Sequence, residues 1–282
     1  MGWKSSIVSL MSRLLRPGTS SRCLAAVLSP CLKLAGPRRD IARRNIRFAL
    51  PEASARDIDE LVAAGYEHLV WVGLEMLALQ RNPQAALEWV DAQNADLLRS
   101  CYGQGAILLT GHVGNWELSA AWIAQQGYEV TAIVRESDDR EERGLIEELR
   151  ANVGVKSLPK SAPMTRAVSI LKRGEFLGIL PDQHAGHEGM MVPFFGRETS
   201  TYAGSGVLAY LTGKPLIPIF SHRIEPFRHQ IRVGSPIEWK KLENREATIM
   251  DIMIKVNRSV EEMVREAPGQ WLSAHKRFKE YY

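Results

Sequence analysis

From residue 104 onward, short apolar runs alternate with amphipathic stretches. Runs at 106–110, 129–134, 176–181, 215–220 and 229–233 have the length and composition of buried strands. Between them, 115–126, 141–153, 164–173 and 204–212 carry apolar positions at helical spacing, each close to a Gly or Pro, and a long helix is expected over 245–266. This alternation predicts an α/β fold, a mixed, mostly parallel sheet flanked by helices. There is no internal repeat or long linker.

The upstream part has a helical pattern. Residues 41–50 are basic and amphipathic and stop at Pro51-Glu52, and Ser54 to Asp57 resembles a helix N-terminus. Leu61, Tyr66, Leu69, Val70, Val72, Leu74, Met76 and Leu77 then form an apolar surface that ends before Asn82-Pro83. Nearer the N-terminus, the apolar stretches 7–15 and 24–34 are broken or flanked by Arg13, Arg16, Pro17, Arg22, Pro30 and Lys33. Neither reaches the roughly 18 apolar residues of a spanning helix. An interfacial segment is expected instead, with Trp3, Leu10, Met11, Leu14 and Leu15 in the acyl boundary and the basic residues at headgroup level. The alternative is a helical pair packed on the domain. The expected division is a helical, membrane-associating region over 1–80 and an α/β domain over 81–282.

Composition narrows the partners. Thirty-six Lys and Arg against 32 Asp and Glu give a formal charge of +4, which favours anionic lipid or an acidic carrier protein. Nucleic acid is not expected, because no recognition motif or interleaved aromatics accompany the charge. Cys23, Cys31 and Cys101 are odd in number and lack CxxC spacing, which suggests neither a disulfide framework nor a zinc knuckle and fits a reducing, cytosol-facing location.

The chemistry concentrates at His112. It follows the buried run Ala-Ile-Leu-Leu-Thr and lies in a turn flanked by Gly111 and Gly114, just before a helix. That is a common position for catalytic groups at the carboxyl end of a strand. Within a regular helix His112 and Glu117 would lie about 140° apart, so they meet only if the His is in the turn and the Glu on the first helical turn. Glu117 would then hold one imidazole nitrogen and leave the other to take a proton from a hydroxyl. The alternative is a structural histidine near a helix cap.

Several blocks, in order, carry a family resemblance. They are Gly-His-Val-Gly-Asn-Trp-Glu (111–117), Ile-Val-Arg (133–135), Leu-Pro-Asp-Gln (180–183), Val-Pro-Phe-Phe-Gly (192–196), Gly-Lys-Pro-Leu-Ile-Pro-Ile-Phe (213–220) and Gln-Trp-Leu-Ser-Ala-His-Lys-Arg-Phe-Lys (270–279). With Arg43-Arg44-Asn45-Ile46 and Leu50-Pro51-Glu52, they resemble the lysophospholipid acyltransferase superfamily, and within it the bacterial late acyltransferases of lipid A biosynthesis, over about residues 38–280. Two features depart from the family pattern. Ser-Ala-His-Lys-Arg stands where members usually read Leu-His-Arg-Arg, and the N-terminus lacks a clear single membrane helix.

The resemblance implies a glycerolipid acyltransferase-like fold and an O-acyltransferase on the cytoplasmic face of the inner membrane, and the interrupted N-terminal stretches make the expected attachment peripheral. It would move an acyl group from an acyl carrier protein or CoA thioester to a membrane lipid hydroxyl, most directly on a lipid A precursor, with no cofactor. A phosphoglycolipid is a second acceptor class, and a thioesterase and a non-catalytic lipid-binding protein are the competing functions. The implied roles are His112 as general base with Glu117, Arg135 and Arg197 as phosphate grips, Asp182 and Gln183 as orienting groups, and backbone N–H groups around Gly196 as oxyanion donors. His184, His187 and Glu188 share a loop but lack a zinc-site pattern, so no metal is expected.

Overall fold

The computed structural model describes Val8, residues 10–12, Leu15, 17–135, Ser137 and 139–282. In chain order the elements are α1 (Thr19–Ala35), α2 (Arg39–Ala49), α3 (Ala55–Leu79), α4 (Ala85–Trp89), β1 (Val90–Gln93), α5 (Asp96–Cys101), β2 (Ala106–Leu109), α6 (Trp116–Gln125), β3 (Val130–Val134), α7 (Arg140–Asn152), β4 (Val155–Pro159), α8 (Met164–Lys172) and β5 (Phe176–Ile179). After these come β6 (Met190–Phe194), β7 (Arg197–Thr201), α9 (Gly204–Thr212), β8 (Leu216–Glu225), β9 (Arg228–Val233) and α10 (Arg245–Glu266).

Seven strands form one sheet in the order β1-β9-β8-β2-β5-β3-β4. Every neighbouring pair is parallel except β8 and β9, so the expected mixed, mostly parallel architecture is present. All four residues of β2, Ala-Ile-Leu-Leu, are buried, as a central parallel strand covered on both faces requires. The strands β1 and β4 and the separate β6–β7 hairpin were not among the expected elements. In β1 the burial alternates between half-buried and exposed positions, so its four residues carry no continuous apolar run.

The helical pattern before residue 80 is also present. Ser54 caps α3 with a reciprocal capping box to Asp57. By length and composition α3 is apolar enough to cross a bilayer, yet half of that apolar window is buried inside the fold. Ile58, Val62 and Tyr66 pack with Val113, Phe194, Trp271 and Phe278 in one core cluster. Trp3 and Leu14 lie outside the described residues. Leu10 is exposed, but Leu15 is buried with Ala25, Trp71 and Leu74, which corrects its expected place at the bilayer boundary. The outward apolar side chains on α1 are Val27, Leu28 and Leu34.

Candidate active site

The turn after β2 is defined by two close approaches. Gly114 has φ +61°, and a Cβ there would sit 2.1 Å from the Ser221 carbonyl oxygen; one at Gly111 would press on Val260 and Val113. Asn115 then caps α6 by accepting from the Leu118 N–H at 2.9 Å. A segment near the C-terminus closes over the turn. Val113 bridges Trp271, Leu272 N–H donates to the His112 carbonyl at 2.8 Å, and Gly114 N–H donates to the Gln270 carbonyl at 3.1 Å.

Asp182 reaches His112 from the end of β5, the strand paired directly with β2. Its carboxylate is 3% exposed and fully engaged. Oδ2 accepts from the His112 backbone N–H at 2.9 Å and from Trp271 Nε1 at 3.2 Å, while Oδ1 lies 2.8 Å from His112 Nδ1. Burial would raise the Asp182 pKa, but the charge and hydrogen bonds of His112, with the bond from Trp271, outweigh it and hold the carboxyl below its usual value. An ionised Asp182 fixes the proton on Nδ1 and leaves His112 Nε2 as the acceptor. The Gln183 side-chain nitrogen lies 3.4 Å from that Nε2.

Glu117 takes a different position from the one its spacing suggested. Its two oxygens form a fork with Arg150 of α7, at 2.9 Å to Nε and 2.6 Å to Nη2, and Trp116 Nε1 donates to it at 3.2 Å. Because α6 begins at Trp116, Glu117 is its second residue and turns toward α7, and the imidazole nitrogen assigned to Glu117 is held by Asp182 instead. This corrects the His112–Glu117 pairing read from the sequence.

His112, Glu117 and Arg150 line a cavity of about 710 Å³ at the carboxyl ends of β2, β3 and β5. Its wall is apolar where Leu108, Ile123, Val130, Ile133, Val155 and Ile179 contribute, and Gly178 presents no side chain. Arg135, Lys160, Lys276 and Lys279 add positive charge to the lining, and Gln183, His184 and His275 add neutral polar or titratable groups. Gly196 and Arg197 are not part of this lining; Gly196 is in the β6–β7 turn and Arg197 opens β7. There the Phe195 N–H donates to Glu261 at 2.7 Å and the Arg197 guanidinium lies 4.1 Å from the centre of the Phe48 ring. This placement corrects their expected roles as oxyanion donor and phosphate grip, because the hairpin turns them toward α2 and α10. His184 pairs with Glu280 at 2.7 Å.

Residues 5–280 match the family model described as bacterial lipid A biosynthesis acyltransferase. The chain belongs to this family. It is 25% identical over 268 residues to the lipid A biosynthesis palmitoleoyltransferase of Escherichia coli, covering 91% of this chain and 82% of that protein. The lipid A biosynthesis lauroyltransferase of Escherichia coli is 25% identical over 86% of this chain and 79% of its own length. The phosphatidylinositol mannoside acyltransferase of Mycolicibacterium smegmatis is 26% identical over 63% of this chain and 60% of its own length.

In this family member, a buried ionic cluster that sequence reasoning missed supports the turn from behind. Glu75 of α3 is fully buried, receives both Nε and Nη2 of Arg223 at 2.9 and 2.8 Å, and accepts from Asn115 Nδ2 at 2.7 Å. The Phe227 N–H donates to it at 3.0 Å, and His229 Nε2 lies 3.1 Å away. His68 contacts Arg223, and its Nε2 lies 2.9 Å from the Gly114 carbonyl. The available signal was a lone carboxylate inside the apolar run Leu74-Glu75-Met76. Burial, reinforced by the Arg223 charge, pushes the His68 pKa down to about 3. Burial opposes ionisation of Glu75, yet His229 and Arg223 hold its carboxyl well below its ordinary range.

Both folded-state values lie below the ordinary ones, 6.5 for His68 and 4.5 for Glu75. Each group therefore contributes stability that is present above its ordinary value and lost as pH falls. The urea unfolding midpoint is expected to drop between pH 7.5 and 5 as the unfolded state gains the His68 proton, and to drop again below pH 4.5. At pH 7.5, Glu75→Ala is expected to cost about 3–5 kcal/mol by leaving Arg223 buried and unpaired. A midpoint unchanged down to pH 5, or a Glu75→Ala cost below about 1 kcal/mol, contradicts this account.

Proposed function

We propose that this chain is an O-acyltransferase that moves a fatty acyl group from an acyl carrier protein or CoA thioester to a hydroxyl of a membrane glycolipid, a lipid A precursor being the leading acceptor. The observation that carries this reading is the His112–Asp182 pair placed beside a cavity with an apolar wall and several cations. The apolar part suits an alkyl chain, and the cations suit the phosphates of a donor or acceptor.

In this mechanism His112 Nε2 takes the proton of the lipid hydroxyl as its oxygen attacks the thioester carbonyl carbon. Asp182 holds the tautomer and stabilises the imidazolium that forms. The C–O bond forms, the C–S bond breaks, and the proton passes from His112 to the departing thiolate. The hydroxyl attacks directly, so no acyl-enzyme is required. Glu117 acts at one remove, fixing the Arg150 guanidinium at the cavity wall. Peripheral binding on the cytoplasmic face of the inner membrane fits Val27, Leu28 and Leu34 exposed on α1 together with the basic charge of α2.

His112→Ala is expected to abolish transfer in a chain that still folds, at a stability cost of about 1–3 kcal/mol for the donor that Asp182 loses. Asp182→Asn is expected to lower kcat by roughly 10²–10⁴-fold with KM little changed, because it releases the tautomer and leaves the cavity intact. Glu117→Gln is expected to be milder than Asp182→Asn. Product analysis by mass spectrometry reads all three. Transfer by His112→Ala at the wild-type rate, or free fatty acid as the sole product in the presence of acceptor, would refute the reading.

Arg135 directly follows β3, is exposed and lines the cavity, where a guanidinium can grip a phosphate bidentately. Arg135→Ala is expected to raise KM for a phosphate-bearing substrate at least tenfold, and Arg135→Lys to recover only part of the loss. Unchanged KM for both donor and acceptor, with only kcat lowered, rules out the grip.

A further inference from the structure

The tetrahedral intermediate of acyl transfer carries a negative oxygen, and the mechanism above assigns no donor to it. The turn containing Gly196 lies off the cavity lining. Lys276 and Lys279 are exposed, so water already solvates their ammonium groups and weakens any bond they make.

His275 has the properties such a donor requires. It lines the same cavity as His112. Among the described residues its Nδ1 is buried with no hydrogen-bond partner. A buried, unpaired N–H is costlier than an unpaired lone pair, so the proton belongs on Nε2, at the ring edge left to face the cavity. Burial pushes the His275 pKa down to about 4, opposed by Asp182 and reinforced by His112, Arg277 and Arg38, so the ring is neutral near pH 7. A neutral donor avoids repelling the imidazolium that His112 becomes.

The main chain that carries this ring is held on both sides. Asn45 Nδ2 donates to the carbonyls of Ser273 and His275, at 2.6 Å each. Just upstream, Leu272 is bonded to the His112 carbonyl, and just downstream the buried Arg277 is bonded to Ser200 and Thr201. A donor on a main chain fixed before reaction costs less reorganisation when charge develops.

We propose that His275 is a catalytic residue whose neutral Nε2–H hydrogen-bonds the thioester carbonyl oxygen as it becomes the oxyanion. This assignment rests on the acyl-transfer reading above. His275 donates a hydrogen bond and transfers no proton; the proton of the attacking hydroxyl travels only through His112.

The test compares full-length wild type with His275→Ala, His275→Phe and His275→Gln. Dodecanoyl thioesters of CoA and of acyl carrier protein serve as donors and a detergent-dispersed lipid A precursor as acceptor, with thermal unfolding measured in parallel. Loss of one oxyanion donor lowers kcat by about 10²–10³-fold, so His275→Ala and His275→Phe are both expected to show that loss with KM changed less than about threefold. Gln can place an N–H near the same point, and His275→Gln is expected to recover at least tenfold of the kcat. A merely structural ring would be replaced better by Phe than by Gln. The inference is overturned by His275→Ala within about threefold of wild-type kcat, by a loss confined to KM, or by a folded His275→Gln no better than His275→Phe. Should wild type itself transfer no acyl group, the acyl-transfer reading fails and this inference with it. Full activity in His275→Ala beside an inactive His112→Ala would overturn this inference alone.

Discussion

The site depends on one buried carboxylate. Asp182 is almost without solvent, and a negative charge in that position persists only if donors replace the water it has lost. Three donors do so: the backbone and ring of His112 from the β2 turn, and the Trp271 indole from the C-terminal segment. The same contacts that make the charge tolerable set the tautomer of His112. Removing any of them leaves Asp182 under-satisfied, so the stability of the segment junction and the readiness of the base are linked.

A second layer holds the turn from the opposite side. Glu75 and Arg223 form a buried ion pair that binds Asn115, and Asn115 in turn caps α6. A pair of this kind is a weak source of net stability compared with apolar packing. What it provides here is position, because Gly114 allows the turn to approach the β8 backbone so closely that no side chain fits between them. The helix α3, apolar enough for a membrane by composition, carries Glu75 of this pair within the fold, and β8 carries Arg223.

Much of the sheet was legible because its central strands are fully buried. The run at 106–109 is apolar on both faces, and so are long parts of β5 and β8, and periodicity finds such runs. The strand β1 alternates half-buried and exposed positions over only four residues and β4 mixes buried, half-buried and exposed ones over five, so neither contains a continuous apolar run. The site divided in the same way. His112 was legible from its glycine-flanked turn. Its partner was assigned to the nearest carboxylate in sequence, five residues away, whereas the partner in space is 70 residues away and brought close by β2 pairing with β5. Sequence spacing does not say which way the second residue of a helix faces; α7 decides it by presenting Arg150. Gly196 and Arg197 stood out as motif residues, but only the register of the β6–β7 hairpin shows that they turn from the cavity.

In this mechanism His112 and Asp182 act as one unit, and a double-mutant cycle on kcat tests that coupling most directly. The variants His112→Ala, Asp182→Asn and the double variant would be assayed with the same donor and acceptor under saturating conditions. If Asp182 acts through the imidazole, the double variant has the same residual rate as His112→Ala alone, because nothing remains for Asp182 to orient. A double variant slower than His112→Ala by the full factor that Asp182→Asn costs on its own would show independent action and contradict the account.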